Sequence, residues 1–223
     1  MKKINNFFII KYFMSSIVDI PHSKMDKIFP TVKNVDKNKL KITETGMFSV
    51  SKVSGSNKLI YLIKKYFKTN KLKITDATAN VGSDTINLAL HFKHVNSIEL
   101  DPFEFNVLKN NVDVYGLNNI TLFNDSSLDI IKTLKQDVVY IDAPWGGVDY
   151  KKNKSVQLFL GDKEISNVYN KNKQYAKLFV FKVPKNYDFN FFIQNTKNTK
   201  YYLHSYVNHK NEIKYYFIFC PSS

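Results

Sequence analysis

Three carboxylates close three successive apolar runs. Asp76 follows Leu72–Thr75, Glu99 lies at the end of 95–100, and Asp125 follows Ile120–Phe123. In an open α/β sheet, nucleotide-like ligands bind beyond the carboxyl ends of the strands. One such acid alone reads as a solvated loop residue or a helix cap; three in succession do not. The stretch DATANVGSDT, starting at Asp76, makes a tight turn into a helix start. In it Gly82 lets backbone approach a ligand, and Asn80 tolerates a left-handed conformation better than most residues. No Walker lysine follows, which argues against triphosphate hydrolysis. The full G-x-G-x-x-G of dinucleotide binders is absent too, yet Glu99 stands roughly 20 residues on, where an acid that grips ribose hydroxyls is expected. A fourth apolar run, Val138–Ile141, enters Asp142-Ala143-Pro144-Trp145-Gly146-Gly147, which holds the only tryptophan of the chain.

The elements that must position these residues can be read from periodicity. Residues 54–68 place Leu59, Ile60, Leu62, Ile63, Tyr66 and Phe67 on one helical side. Helices are expected over 85–92, from Asp101-Pro102 to about Tyr115 with Gly116 at the C-cap, and over 127–134. Strands are expected over 72–75, 95–100, 120–123, 138–141 and 176–183. Residues 146–174 show no clear periodicity, and a short helix is expected over 189–194. Residues 201–207 and 213–220, with His209-Lys210-Asn211 between them, read as a closing hairpin. Alternating strands and helices imply a parallel sheet covered on both faces. With an antiparallel finish, the pattern resembles the Rossmann-like methyltransferases.

Composition bounds the function. The 223 residues include 43% hydrophobic and 15% aromatic side chains, enough for one sizeable core. A single cysteine, Cys220, cannot form an internal disulfide, lies in an apolar run and reads as a core residue in a reducing, intracellular setting. All 33 basic residues are lysine, and the net charge is +14. A polyanion partner favours such a charge, and A/T-rich coding, as in a viral or parasitic genome, inflates lysine and asparagine as well. The start, MKKINNFFIIKYFMSS, has an apolar run broken by Lys11 and no small-residue cleavage site. It reads as an amphipathic element rather than a signal peptide or membrane span. Residues 1–45 are irregular, interrupted by Pro21 and Pro30.

Asp142-Ala143-Pro144-Trp145 resembles the [D/N/S]-P-P-[Y/F/W] signature of methyltransferases that modify exocyclic amines, with Ala143 in place of the first proline. The chemistry accounts for the residue types. An exocyclic amine is a poor nucleophile because its lone pair is delocalised into the ring. The Asp142 carboxylate and a backbone carbonyl beside Pro144 can accept its two hydrogens, driving nitrogen toward sp3 and aiming the lone pair at a methyl donor. DATANVGSDTINLALHF, SIELDPFEFNVLKNNVDVYGL and DVVYIDAPWGGVDY together resemble the trimethylguanosine synthase family of RNA cap guanine-N2 methyltransferases. GMFSV at 46–50 resembles the G-W-F-S-V of that family. The likeness covers about 46–150 and fades to fold level beyond.

The resemblance implies a class I methyltransferase: a mostly parallel seven-stranded sheet, an antiparallel C-terminal hairpin and a small N-terminal helical extension (1–45) before the methyltransferase domain (46–223). It implies S-adenosylmethionine as cofactor, held by Asp76, Thr78, Gly82 and Thr85, with Glu99 on the ribose and Asp125 on the adenine amine. Asp142 and Pro144 would hold the guanine N2 amine, and Trp145 would stack on the cationic 7-methylguanine, tryptophan being the best cation–π partner. Tyr150 would line the cap pocket, and Lys24 or Lys27 would lie near the cap phosphates. Asn80 and Ser83 replace loop glycines; Asn80 can keep the backbone shape, and Ser83 suits a helix N-cap. The implied partner is m7G-capped RNA, met by a monomer without metal or membrane, in nucleus or cytoplasm. Two other readings stay open: another RNA amino-methyltransferase, acting on rRNA guanine N2 or adenine N6, and a cap- or RNA-binding homologue without catalysis.

Overall fold

The computed structural model describes residues 16–196 and 200–222, for Val148 the backbone alone. Most of the expected N-terminal amphipathic element lies outside the described residues. Seven strands form one sheet: β1 (Lys73–Asp76), β2 (His94–Ile98), β3 (Ile120–Phe123), β4 (Val138–Ile141), β5 (Leu178–Pro184), β6 (Tyr202–Val207) and β7 (Ile213–Pro221). Their order is β3-β2-β1-β4-β5-β7-β6. The first five are parallel, and β7 runs antiparallel between β5 and β6, giving the expected closing hairpin. The order reverses between β1 and β4, the position where such sheets open a ligand crevice.

The α-helices among the described residues are α1 (His22–Ile28), α2 (Glu44–Ser49), α3 (Val53–Phe67), α4 (Ser83–Ala89), α5 (Pro102–Tyr115), α6 (Ser127–Ile130), α7 (Ile165–Asn172) and α8 (Phe189–Asn195). Side chains of a strand alternate between the sheet's faces, and here both are buried. Val139, Ile141, Phe179, Phe181, Ile218 and Cys220 enter one core with α7 and α8. Val138, Tyr140, Leu178, Val180, Phe217 and Phe219 enter the other, against Leu59 and Ile63 of α3. Cys220 is a core residue, as expected.

The helix that leaves β2 begins as expected: Asp101 accepts hydrogen bonds from the amides of Phe103 and Glu104, and Pro102 takes the first helical position. Gly116 ends it at φ +61°. Two expectations are corrected. The N-cap of α4 is Gly82, and Ser83 is the first helical residue. The aperiodic stretch 146–174 holds a short 3-10 helix at Gly147–Lys152, a two-stranded hairpin pairing Phe159–Leu160 with Lys163–Glu164, and α7. Helix α7 escapes a hydrophobic pattern search because ISNVYNKN offers only Ile165, Val168 and Tyr169 as apolar anchors.

The described part of the N-terminal extension packs onto the domain. Met25 and Ile28 of α1 join a core with Val81, Ile86 and Leu108. Asn111 of α5 ties it down: its Oδ1 accepts from the Lys41 amide at 2.8 Å, and its Nδ2 donates to the carbonyls of Lys41 and Val81. None of the described helices is long and apolar enough to cross a membrane.

Candidate active site

The first half of the site forms where β1, β2 and β3 end. Asn80 adopts φ +48° in the loop after β1, and Gly82 follows at +92°. A Cβ at Gly82 would sit 2.6 Å from the Leu108 side-chain tip, which could shift, but the φ of +92° already strains any other residue there. The left-handed turn points the Asn80 amide at Glu99 Oε2, 2.7 Å away, while Glu99 Oε1 accepts from the Asp101 amide at 2.9 Å. Glu99 is thus fixed by backbone on both sides and stays partly exposed. Burial raises its carboxyl, against those two amides. Asp125 lies exposed beyond β3.

Asp76 and Thr85 were expected to hold a ligand, but the structure places both side chains inside. Asp76 is 1% exposed and accepts from the Thr85 hydroxyl at 2.7 Å. The pair braces the loop from beneath. Burial, then the nearby Asp84, pushes the Asp76 carboxyl up to about 7. Thr78 couples this half to the next: its Oγ1 accepts from the Asp142 amide at 2.8 Å.

The second half forms where β4 and β5 end. Their register pairs Ile141 with Phe181, so the next residues, Asp142 and Lys182, come side by side although 40 positions apart. Lys182 Nζ donates to Asp142 Oδ2 at 2.6 Å and to Ser51 Oγ at 2.8 Å; the two side chains are 14% and 6% exposed for Asp142 and Lys182 respectively. Ser51 also donates to Asp84 at 2.5 Å, as do Tyr140 at 3.0 Å and Ser56. Burial pulls Lys182 down, but Asp142 and then Asp84 outweigh it and hold the ammonium above its usual value. Burial pushes Asp142 up, and Lys182 opposes that rise. The net direction for Asp142 is upward, so Lys182 offsets its burial only in part. At 2.6 Å the two groups are direct partners, and removal of either would leave the other buried without its counter-group.

Trp145 stands against this pair. Lys182 Nζ lies 5.4 Å from its ring and 5.0 Å from that of Tyr215. Tyr150 meets Trp145 edge-on at 5.3 Å. The indole is partly buried; its N–H has no full hydrogen bond, yet lies near enough to Asp142 to favour the ionised carboxylate. Ala143 is buried and Pro144 exposed.

Of the residues singled out in the sequence, Asp142, Trp145 and Tyr150 form one cluster, linked through Thr78 to the loop after β1, whose Asn80 amide reaches Glu99 beyond β2. Lys24 and Lys27 lie exposed on α1, outside that cluster. Sequence reasoning missed Lys182, Ser51, Asp84 and Tyr215. One signal was available for the first: a lone lysine inside the otherwise apolar strand LFVFKVP.

A family model described as RNA cap guanine-N2 methyltransferase matches residues 71–223. The chain is 36% identical over 136 residues to an uncharacterised protein of Acanthamoeba polyphaga mimivirus, which covers 59% of this chain and 53% of that protein. It is 33% identical over 84 residues to trimethylguanosine synthase of Schizosaccharomyces pombe, 34% of this chain and 35% of the yeast protein. The matches thus span about half or less of these relatives. Among solved structures, TrmK of M. capricolum in complex with S-adenosyl-homocysteine aligns with TM-score 0.55 at 16% identity, over 76% of this chain and 68% of that one. Trm5b of Pyrococcus abyssi aligns with TM-score 0.54 at 11% identity, over 83% of this chain and 54% of that one. At such identities these likenesses establish the fold, and the family model, matching more than half the chain, establishes the rest: the chain belongs to the RNA cap guanine-N2 methyltransferase family.

Proposed function

We propose that the protein uses S-adenosylmethionine to methylate N2 of the guanine in a 7-methylguanosine RNA cap. The observation that carries this reading is the convergence of a lysine-paired carboxylate, Asp142, and the lone indole, Trp145, beside the loop after β1. The residues of that loop suit the cofactor. Asn80 keeps a buried side-chain oxygen without a partner. Glu99 and Asp125 offer accessible carboxylates for ribose hydroxyls and an adenine amine, the roles the family resemblance gives them. The cofactor supplies an electrophilic methyl group on a sulfonium; the protein's own residues orient the nucleophile.

Asp142 accepts a hydrogen from the N2 amine, and a backbone carbonyl beside Pro144 accepts the second, which localises the nitrogen lone pair. Lys182 opposes the protonation of Asp142 and holds its rotamer, which favours the carboxylate as an acceptor. Trp145 provides the plane for the base. An indole is the best cation–π partner for a purine made cationic at N7. The readout is methyl transfer from labelled S-adenosylmethionine to m7G-capped and to unmethylated GpppN-capped RNA. Preferential transfer to N2 of the m7G form is expected. Equal transfer to both caps, or label on internal guanine or adenine, would replace this reading with that of a different RNA amino-methyltransferase.

A further inference from the structure

Outside the site, lysine and aromatic side chains gather on one strip. It begins at the site's edge. Tyr215 lies 6.2 Å from Trp145, and Tyr206 of β6 stacks on it with centroids 4.6 Å apart and planes 13° apart. The Tyr206 hydroxyl shares a 2.7 Å hydrogen bond with Ser54 at the start of α3. Going back along β6, His204 and Tyr202 follow at two-residue spacing, on the face toward α3. Tyr202 meets Tyr66 of α3 at 6.4 Å, and these two rings are 39% and 40% exposed. Lys200 Nζ lies 5.4 Å from the Tyr202 ring. Lys58 and Lys65 of α3 flank His204, and after burial they are what lowers its imidazole.

Most described lysines have no carboxylate partner, and what sets those of this strip apart is the aromatic rings beside them. Lys37, Lys132, Lys152 and Lys177 each sit against a carboxylate. Lys58, Lys65 and Lys200 have no ion-pair partner among the described residues. Their charge is left for an outside anion. Alternate side chains on a strand stand about 6.6 Å apart, a spacing that admits unstacked bases of an extended chain. Rings that stack on bases, with unpaired cations beside them, are how proteins hold single-stranded nucleic acid without reading its sequence.

We propose that this strip, running from Tyr206 to Tyr202 and Tyr66 with Lys58, Lys65 and Lys200 beside it, binds the single-stranded RNA that follows the cap. The inference rests on the cap-methylating reading, and its test separates the two. Fluorescence anisotropy with a labelled, uncapped RNA of about eight nucleotides would be followed across a salt series. It would compare the intact chain with the Lys58→Ala/Lys65→Ala/Lys200→Ala variant and with Tyr202→Ala. The triple variant is expected to lower the slope of log affinity against log salt by about 2, at about 0.7 per lysine for single strands. Tyr202→Ala is expected to weaken binding roughly ten-fold and leave the slope unchanged. In methylation assays the KM for a capped oligomer rises in both variants, and that for the cap dinucleotide stays the same. Unchanged RNA affinity and slope in the triple variant would overturn the track even if cap methylation is normal. So would binding of polyglutamate as tight as that of RNA, which would make the strip a protein-docking face. Loss of RNA binding in the variant of a protein that methylates no cap would uphold the track and refute the cap reading.

Discussion

Asp76 ends β1 and Asp142 follows β4, the neighbouring strand, and the two carboxylates meet opposite surroundings. Asp76 is enclosed with hydroxyl and amide partners and no cation, and its carboxyl rises to about 7. Asp142 is nearly as enclosed but receives the ammonium of Lys182 at 2.6 Å. One carboxylate is a brace that can hold a proton near neutrality; the other, also raised by burial, has a cation that opposes the rise. The difference teaches how this sheet divides its labour. The ends of β1 to β3 rely on backbone geometry, whereas the ends of β4 and β5 rely on a buried ion pair.

Breaking the ion pair has the largest expected effect. Lys182→Met should lower stability by about 3–5 kcal/mol in chemical denaturation, because Asp142 loses its counter-charge. Adding Asp142→Leu to that variant should restore most of the stability and none of the activity. A stable single variant would show that the pair contributes little. Next comes the unpaired acid. Asp76 has a folded-state value near 7 against its ordinary 3.8. The folded protein therefore binds the proton more tightly, so this residue's contribution is full below about pH 4 and is lost as pH rises through 7. The difference corresponds to about 4 kcal/mol. Asp76→Asn should remove that slope from a stability–pH profile, and superimposable profiles would contradict the assignment.

Two substitutions sharpen the contrast in function. Asp142→Asn should lower kcat by about a hundred-fold or more while leaving S-adenosylhomocysteine affinity intact, since orientation is lost rather than cofactor contact. A change in KM alone would contradict that role. Glu99→Gln should do the reverse, weakening S-adenosylhomocysteine roughly ten-fold by calorimetry. The smallest effect is expected at Gly116, where φ is +61° and a methyl would meet nothing within 4 Å. Gly116→Ala should cost about 1 kcal/mol through backbone strain alone and leave methylation unchanged.

The same contrast governs what could be read from the chain before its fold was known. The loop after β1 is local: Asn80, Gly82, Glu99 and the Asp101-Pro102 cap declare themselves within one βαβ stretch, and the structure places them at successive strand ends. Asp142 and Trp145 were legible from one short motif. Lys182 was not, because its partner stands 40 positions away and only the parallel register of β4 and β5 brings the two together. Ser51 and Asp84 were hidden for a similar reason, being joined across the start of α3 and the first turn of α4. The burial of Asp76 and Thr85 was also out of reach, since a strand-end acid reads alike whether it faces ligand or core.

Trp145 is the only tryptophan in the chain, so its emission reports directly on what covers its ring. Titration with m7GpppG and with GpppG, excited at the indole, tests the central claim that a cationic purine lies on Trp145 beside Asp142. Saturable quenching by m7GpppG, at far lower concentration than any produced by GpppG, is the predicted result. Emission that m7GpppG leaves unchanged, or that both dinucleotides quench alike, would contradict it.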